Sequence, residues 1–150
     1  MANFYSIHSL AKQGLQGRPK GGITILLKAK LSPLKVIQRS DILVVETKLG
    51  TIIGTYFQPE YKEEDIIDEL ASALQMISCT NTVILAGDLN CKIDINQPKS
   101  KAVVRYLETG LTLINNHLER TYIGVNGCST IDLVFSTGKP EMSSKIDVDK

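Results

Sequence analysis

Apolar residues along this chain recur with two periods, and the change between them falls near residue 60. Four short β-branched runs come first: Ile23-Thr24-Ile25-Leu26-Leu27, Leu34-Lys35-Val36-Ile37-Gln38, Ile42-Leu43-Val44-Val45-Glu46 and Thr51-Ile52-Ile53-Gly54-Thr55-Tyr56. Such runs predict strands, and the breaks at Ser32-Pro33, Ser40-Asp41 and Leu49-Gly50 are short enough to predict an antiparallel meander. After Pro59 the spacing becomes helical, with Ile66, Ile67, Leu70, Leu74 and Ile77 on one stripe. Glu63, Glu64 and Asp65 precede that stripe, where negative charge suits a helix amino end. Thr82-Val83-Ile84-Leu85-Ala86-Gly87 then predicts a buried central strand, Ser100 to Glu108 a second helix stopped at Gly110, and Leu111-Thr112-Leu113-Ile114-Asn115 a further strand. Asn126-Gly127 marks a turn ahead of the strand Thr130-Ile131-Asp132-Leu133-Val134-Phe135, and Lys145 to Asp149 could begin one more. Residues 1–22 keep no sustained period and predict an irregular leading segment.

The sum is an α/β chain with a mixed, largely antiparallel sheet and helices packed on it. At 150 residues it suits one domain rather than two. A hydrophobic share of 43% excludes a disordered or collagen-like chain. The formal net charge is +1, but Lys12, Arg18, Lys20, Lys28, Lys30, Lys35 and Arg39 give residues 1–40 a charge of +7 with no acid among them. Such a basic segment suits a polyanion, and equally a solvated arm and hairpin. Cys79, Cys91 and Cys128 form no C-x-x-C pair and, with His117, lack structural-zinc spacing, so buried reduced thiols are expected. No signal-peptide pattern and no apolar run of ~20 residues is present, so a soluble intracellular protein, nuclear or cytoplasmic, is expected, with no membrane partner.

Gly87-Asp88-Leu89-Asn90 follows an apolar strand directly, and ligands gather at the carboxyl ends of such strands. Forty-four residues beyond Asp88, Asp132 stands between apolar neighbours, where a solitary charge is costly unless paired or bound to a metal. Each of these segments, like Tyr56-Phe57-Gln58-Pro59, also has a purely structural reading as a turn, a cap or a satisfied core group. Asp88 and Asn90, two positions apart, would point the same way from an extended strand and could share a site.

In order and context these segments resemble the endonuclease/exonuclease/phosphatase superfamily, specifically the apurinic-endonuclease-like domains of non-LTR retrotransposons. Arg18-Pro19-Lys20-Gly21-Gly22-Ile23-Thr24-Ile25-Leu26 is similar to the R-G-G-hydrophobic opening of a family strand, and Tyr56-Phe57-Gln58-Pro59 to Y-x-x-P. Gly87-Asp88-Leu89-Asn90 matches G-D-[FL]-N, Ser129-Thr130-Ile131-Asp132-Leu133 is similar to S-x-I-D-hydrophobic, and the segment ending at Asn115 resembles G-L-x-h-h-N. The resemblance runs from Arg18 to Phe135. It implies a four-layered α/β sandwich of the DNase I-like type, incomplete at both termini, with residues 1–17 as an irregular leading segment and 18–150 as a partial domain.

The activity implied is phosphodiester hydrolysis assisted by Mg2+ or Mn2+. Asp88 would activate or orient water and contact the metal, Asn90 and Tyr56 would hold the phosphate, Ser129 would touch substrate, and Asp132 would orient a histidine. DNA is the implied substrate, and a reverse transcriptase domain of the same polyprotein the implied partner. The family's metal-binding Glu and its S-D-H histidine have no counterpart here, and His8 and His117 match no catalytic position. The isolated chain is therefore expected to be inactive or very weak. Two other functions fit the same motifs: a phosphoesterase acting on inositol lipids or another small phosphoester, and a noncatalytic relic or interaction module.

Overall fold

The computed structural model describes residues 3–12, 19–78, 82–92, 98–115, 120–125 and 127–138. Arg18, Cys79, His117, Asn126 and the strand expected near Lys145 lie outside these residues. In chain order the elements are β1 (Phe4–Ser9), β2 (Ile23–Lys28), β3 (Lys35–Gln38), β4 (Ile42–Glu46), β5 (Gly50–Tyr56), α1 (Glu63–Gln75), β6 (Thr82–Asp88), α2 (Pro98–Glu108), β7 (Thr112–Leu113), β8 (Tyr122–Gly124), β9 (Gly127–Ser129) and β10 (Asp132–Ser136).

Six strands form the main sheet in the order β3-β4-β5-β6-β10-β7. The meander β3-β4-β5 is antiparallel as expected, whereas β5 and β6 are parallel because α1 carries the chain back across the sheet between them. Alternation gives each strand two faces. Ile42, Val44, Ile53, Val83, Leu85, Leu133 and Phe135 face the helices, meeting Ile66, Leu70 and Ala73 of α1 and Val103 and Leu107 of α2 in the larger core. The opposite residues of β4, Leu43 and Val45, meet Ile25 and Leu27 of β2 in a second, smaller core.

Two expectations are corrected. β2 does not extend the meander; it pairs antiparallel with β1 and lies across the other face of the main sheet. The leading segment is not irregular throughout, because Phe4–Ser9 forms β1. Phe-Tyr-Ser-Ile-His-Ser carries a weak pattern, with only Ile7 and Ser9 half-buried, so the partner strand rather than local propensity makes it a strand.

The expected strand at 111–115 shortens to Thr112–Leu113, and a small hairpin, β8-β9, surrounds the expected turn. Lys62 N–H donates to Asp65 Oδ2 at the amino end of α1, where the three acids lie. Helices, main sheet and hairpin thus make three stacked layers among the described residues. Among these residues no helix is long and apolar enough to cross a membrane.

Candidate functional site

Because β5 and β6 are parallel, both end on the same edge of the sheet, and antiparallel β10 begins there. Tyr56 is therefore in register with Asp88, and Asp88 with Asp132. Directly opposed residues share a face and lie about 5 Å apart at Cα. The three side chains form a row on the face that also packs the β1-β2 hairpin, where Gly54 of β5 comes against Ile23. A groove of about 490 Å³ runs from Asp88 and Tyr56 along Gly54, Ala86, Ile23 and Ile25.

Gly87 makes this edge possible. Its φ is +146°, and a Cβ there would stand 2.0 Å from the Thr55 carbonyl oxygen, so only glycine lets β6 approach β5 so closely just before Asp88. Beyond Asp88 the chain turns. Asn90 adopts φ 47°, a left-handed conformation Asn tolerates better than most residues. Its N–H donates to Asp88 Oδ1 at 2.8 Å and its Nδ2 to the Phe57 carbonyl at 2.6 Å. The expectation that Asp88 and Asn90 share a direction by simple alternation is thus corrected: Asn90 has left the strand, and its side chain joins the loop after β6 to the loop after β5. Phe57 N–H completes that junction on the Asp88 carbonyl at 2.9 Å.

Asp88 is half-buried, and its carboxyl is pushed up to about 6. Burial is the main cause and the charge of Asp132 adds to it, while the Asn90 N–H works in the opposite sense. Two adjacent carboxylates with an amide nearby form an all-oxygen set suited to a hard divalent cation, which binds through one or two carboxylates and keeps several waters. Among the described residues no group of three or more His, Cys, Asp and Glu gathers to hold a metal, so such an ion would rest on the Asp88–Asp132 pair and water.

Several residues that hold the row in place were not singled out from sequence. The main chain of Asp132 is clamped by two side chains: its N–H donates to Thr121 Oγ1 at 3.0 Å, and its carbonyl accepts from Asn115 Nδ2 at 3.0 Å. Val134 N–H also donates to Asn115 Oδ1. Tyr56 N–H donates to the carbonyl of Asp41, whose buried carboxylate accepts from Tyr61 Oη at 2.8 Å and Lys12 Nζ at 3.4 Å. The bond to Asp41 and then burial push the Tyr61 hydroxyl up to about 12. Asn115 carries a motif signal, while Asp41 and Thr121 carry none beyond a turn.

The remaining expected residues separate. Ser129 is 2% exposed at the end of β9, so its side chain is closed off from solvent rather than offered to a substrate. No described histidine joins Asp132: His8 is on the hairpin, bonded to Ser6 and Thr24. Cys91 is buried beside the site, and burial pushes its thiol up to about 11, away from the reactive thiolate.

No protein-family model matches the chain, and no curated protein matches it in sequence. Solved structures do match. The endonuclease domain of TRAS1, a telomere-specific non-LTR retrotransposon, superposes with a TM-score of 0.63 at 19% identity, over 87% of this chain and 64% of that one. An AP endonuclease from Archaeoglobus fulgidus gives 0.65 at 16% identity, over 89% and 66%. An endonuclease/exonuclease/phosphatase family protein from Leptotrichia buccalis C-1013-b gives 0.62 at 14%, over 90% and 60%. The chain spans less than two thirds of the length of each. Its mixed sheet, covering helices and matching structures together establish the α/β sandwich, DNase I-like fold of the endonuclease/exonuclease/phosphatase proteins.

Proposed function

We propose that the chain carries the core of a metal-dependent phosphodiesterase site, from the DNA endonuclease domain of a retrotransposon-derived reverse transcriptase polyprotein. The observation that carries this reading is the row Tyr56–Asp88–Asp132 in register across three adjacent strands, with Asn90 bonded to Asp88. Asp88, with a carboxyl near 6, is basic enough to take a proton from an attacking water at neutral pH. The second N–H of the Asn90 amide and the Tyr56 hydroxyl are donors for non-bridging phosphate oxygens. Asp132 raises the basicity of Asp88 by its charge and would accept an imidazole N–H. Mg2+ or Mn2+ on the carboxylate pair, when bound, would neutralise the phosphate and the leaving oxygen. In-line hydrolysis needs little more from the protein than such positioning and charge.

DNA as substrate agrees with the basic first forty residues, and the same reading gives the parent chain a reverse transcriptase domain and a nuclear or cytoplasmic place of action. The test is conversion of supercoiled plasmid to nicked circles with Mg2+ or Mn2+. Nicking is expected to be very slow at most, and any that occurs should be removed by chelation and by Asp88→Ala, which should also weaken Mn2+ binding measured by calorimetry. Nicking that persists in Asp88→Ala, or Mn2+ binding that this substitution leaves unchanged, overturns the proposal.

A further inference from the structure

Two lysines approach the segment after β5 from different parts of the chain. Lys20 Nζ is 3.5 Å from Glu60 Oε1, and Lys99 Nζ donates to the Pro59 carbonyl at 3.3 Å. Lys20 comes from the hairpin layer near Tyr56: the next residue, Gly21, lies beside the Tyr56 ring, where an added Cβ would stand 3.6 Å from Cδ1. Lys99 reaches the same segment from the helix layer. It is the second residue of α2, where the helix amino end adds positive partial charge, and its charge reaches Cys91, three residues past Asp88.

Glu60 answers both cations. Its carboxyl is held below the ordinary range first by its own main-chain N–H, then by Lys20, then by Lys99. The Lys20–Glu60 pair does little for the fold, since its side chains are 60% and 67% exposed and such pairs are weak and salt-screened. Lys12, by contrast, is committed to buried Asp41.

We infer that Lys20 and Lys99 contact backbone phosphates of a nucleic-acid strand laid across the Tyr56 end of the sheet, and that Glu60 is the internal anion which that strand displaces. The location rests on the phosphodiesterase reading given above, but the binding does not require cleavage. A phosphate backbone offers each lysine a denser anion than one exposed carboxylate does, and each neutralised phosphate releases counterions.

The test is fluorescence anisotropy with a labelled 20-base-pair DNA duplex, from about 50 to 200 mM salt. Lys20→Ala and Lys99→Ala should each weaken binding several-fold and reduce the salt slope by about 1. Glu60→Gln should tighten binding several-fold. Lys30→Ala and Lys48→Ala serve as controls, because these lysines line a cavity with Leu49 at the start of β5, the opposite end of the sheet from Tyr56. Thermal melting of every variant checks that each is folded. Equal effects from the control lysines, or unchanged affinity in Glu60→Gln, overturn the inference. Lysine-dependent binding in a chain whose nicking or Mn2+ binding is unaffected by Asp88→Ala would remove the phosphodiesterase reading alone; Asp88-dependent nicking or Mn2+ binding without lysine-dependent DNA binding would remove this one alone.

Discussion

Asp88 is a residue held at a cost to the fold. An ordinary unfolded carboxyl titrates near 3.8, and here it titrates near 6, so between those values the folded protein holds the proton more firmly than the unfolded chain. The penalty is absent below pH 4, grows as pH rises through 4 to 6, and is complete above 6. Asp88→Asn should therefore stabilise the protein by about 1–3 kcal/mol at pH 7. Urea midpoints of both forms at pH 4, 5, 6 and 7 check this, and a gap that does not widen with pH contradicts it. Gly87 is constrained in the opposite direction. Gly87→Ala must both strain a positive φ and push a Cβ against the Thr55 carbonyl, for a loss of about 2–4 kcal/mol in denaturant unfolding. The G-D-L-N signal was legible in sequence because each residue is required by its own backbone or charge. The bond from Asn90 to Phe57 was not, since it depends on two loops meeting.

At the scale of elements, β10 is short and gains little from β7, which pairs with it only at Phe135 and Ser136. Its amino end, where Asp132 lies, is held instead by the side chains of Asn115 and Thr121. Asn115→Ala leaves the Val134 N–H and the Asp132 carbonyl without that partner and should cost about 1–3 kcal/mol. Amide exchange gives the sharper check: protection should fall at Val134 and persist at Leu85 in the middle of β6, whereas uniform loss would indicate general destabilisation. The elements themselves were readable wherever a face is fully buried, as in β4, β6 and α1. β1 was not, because its pairing with β2 outweighs a half-polar pattern. Nor was the withdrawal of β2 from the meander, because a two-residue period is satisfied equally in either sheet.

For the whole molecule, the hairpin covers only part of the main sheet. Alternation puts Ile84 on the hairpin side of β6, where it is 41% exposed, and Leu26 is 63% exposed on β2. Apolar surface of this kind promotes association between chains. Ile84→Lys together with Leu26→Lys should reduce binding of a hydrophobic dye and concentration-dependent light scattering, leaving the thermal midpoint within a few degrees. Unchanged scattering would show that association, if any, uses another surface. The arrangement also separates stability from function. The larger core is made by the helices and the main sheet, while the candidate site lies on the hairpin face at the edge where β5 and β6 end and β10 begins.

The sequence by itself determined the strand and helix runs, the order of the motifs and the identity of Tyr56, Asp88, Asn90 and Asp132 as candidates, because burial periodicity and special backbone positions are local properties. Only the tertiary structure decided that Tyr56, Asp88 and Asp132 stand side by side, that Ser129 turns inward, and that Asn115, Thr121 and Asp41 support the row. Those facts follow from strand register and loop meeting, which bring together residues up to 76 positions apart (Tyr56 and Asp132) and which no short stretch of sequence specifies.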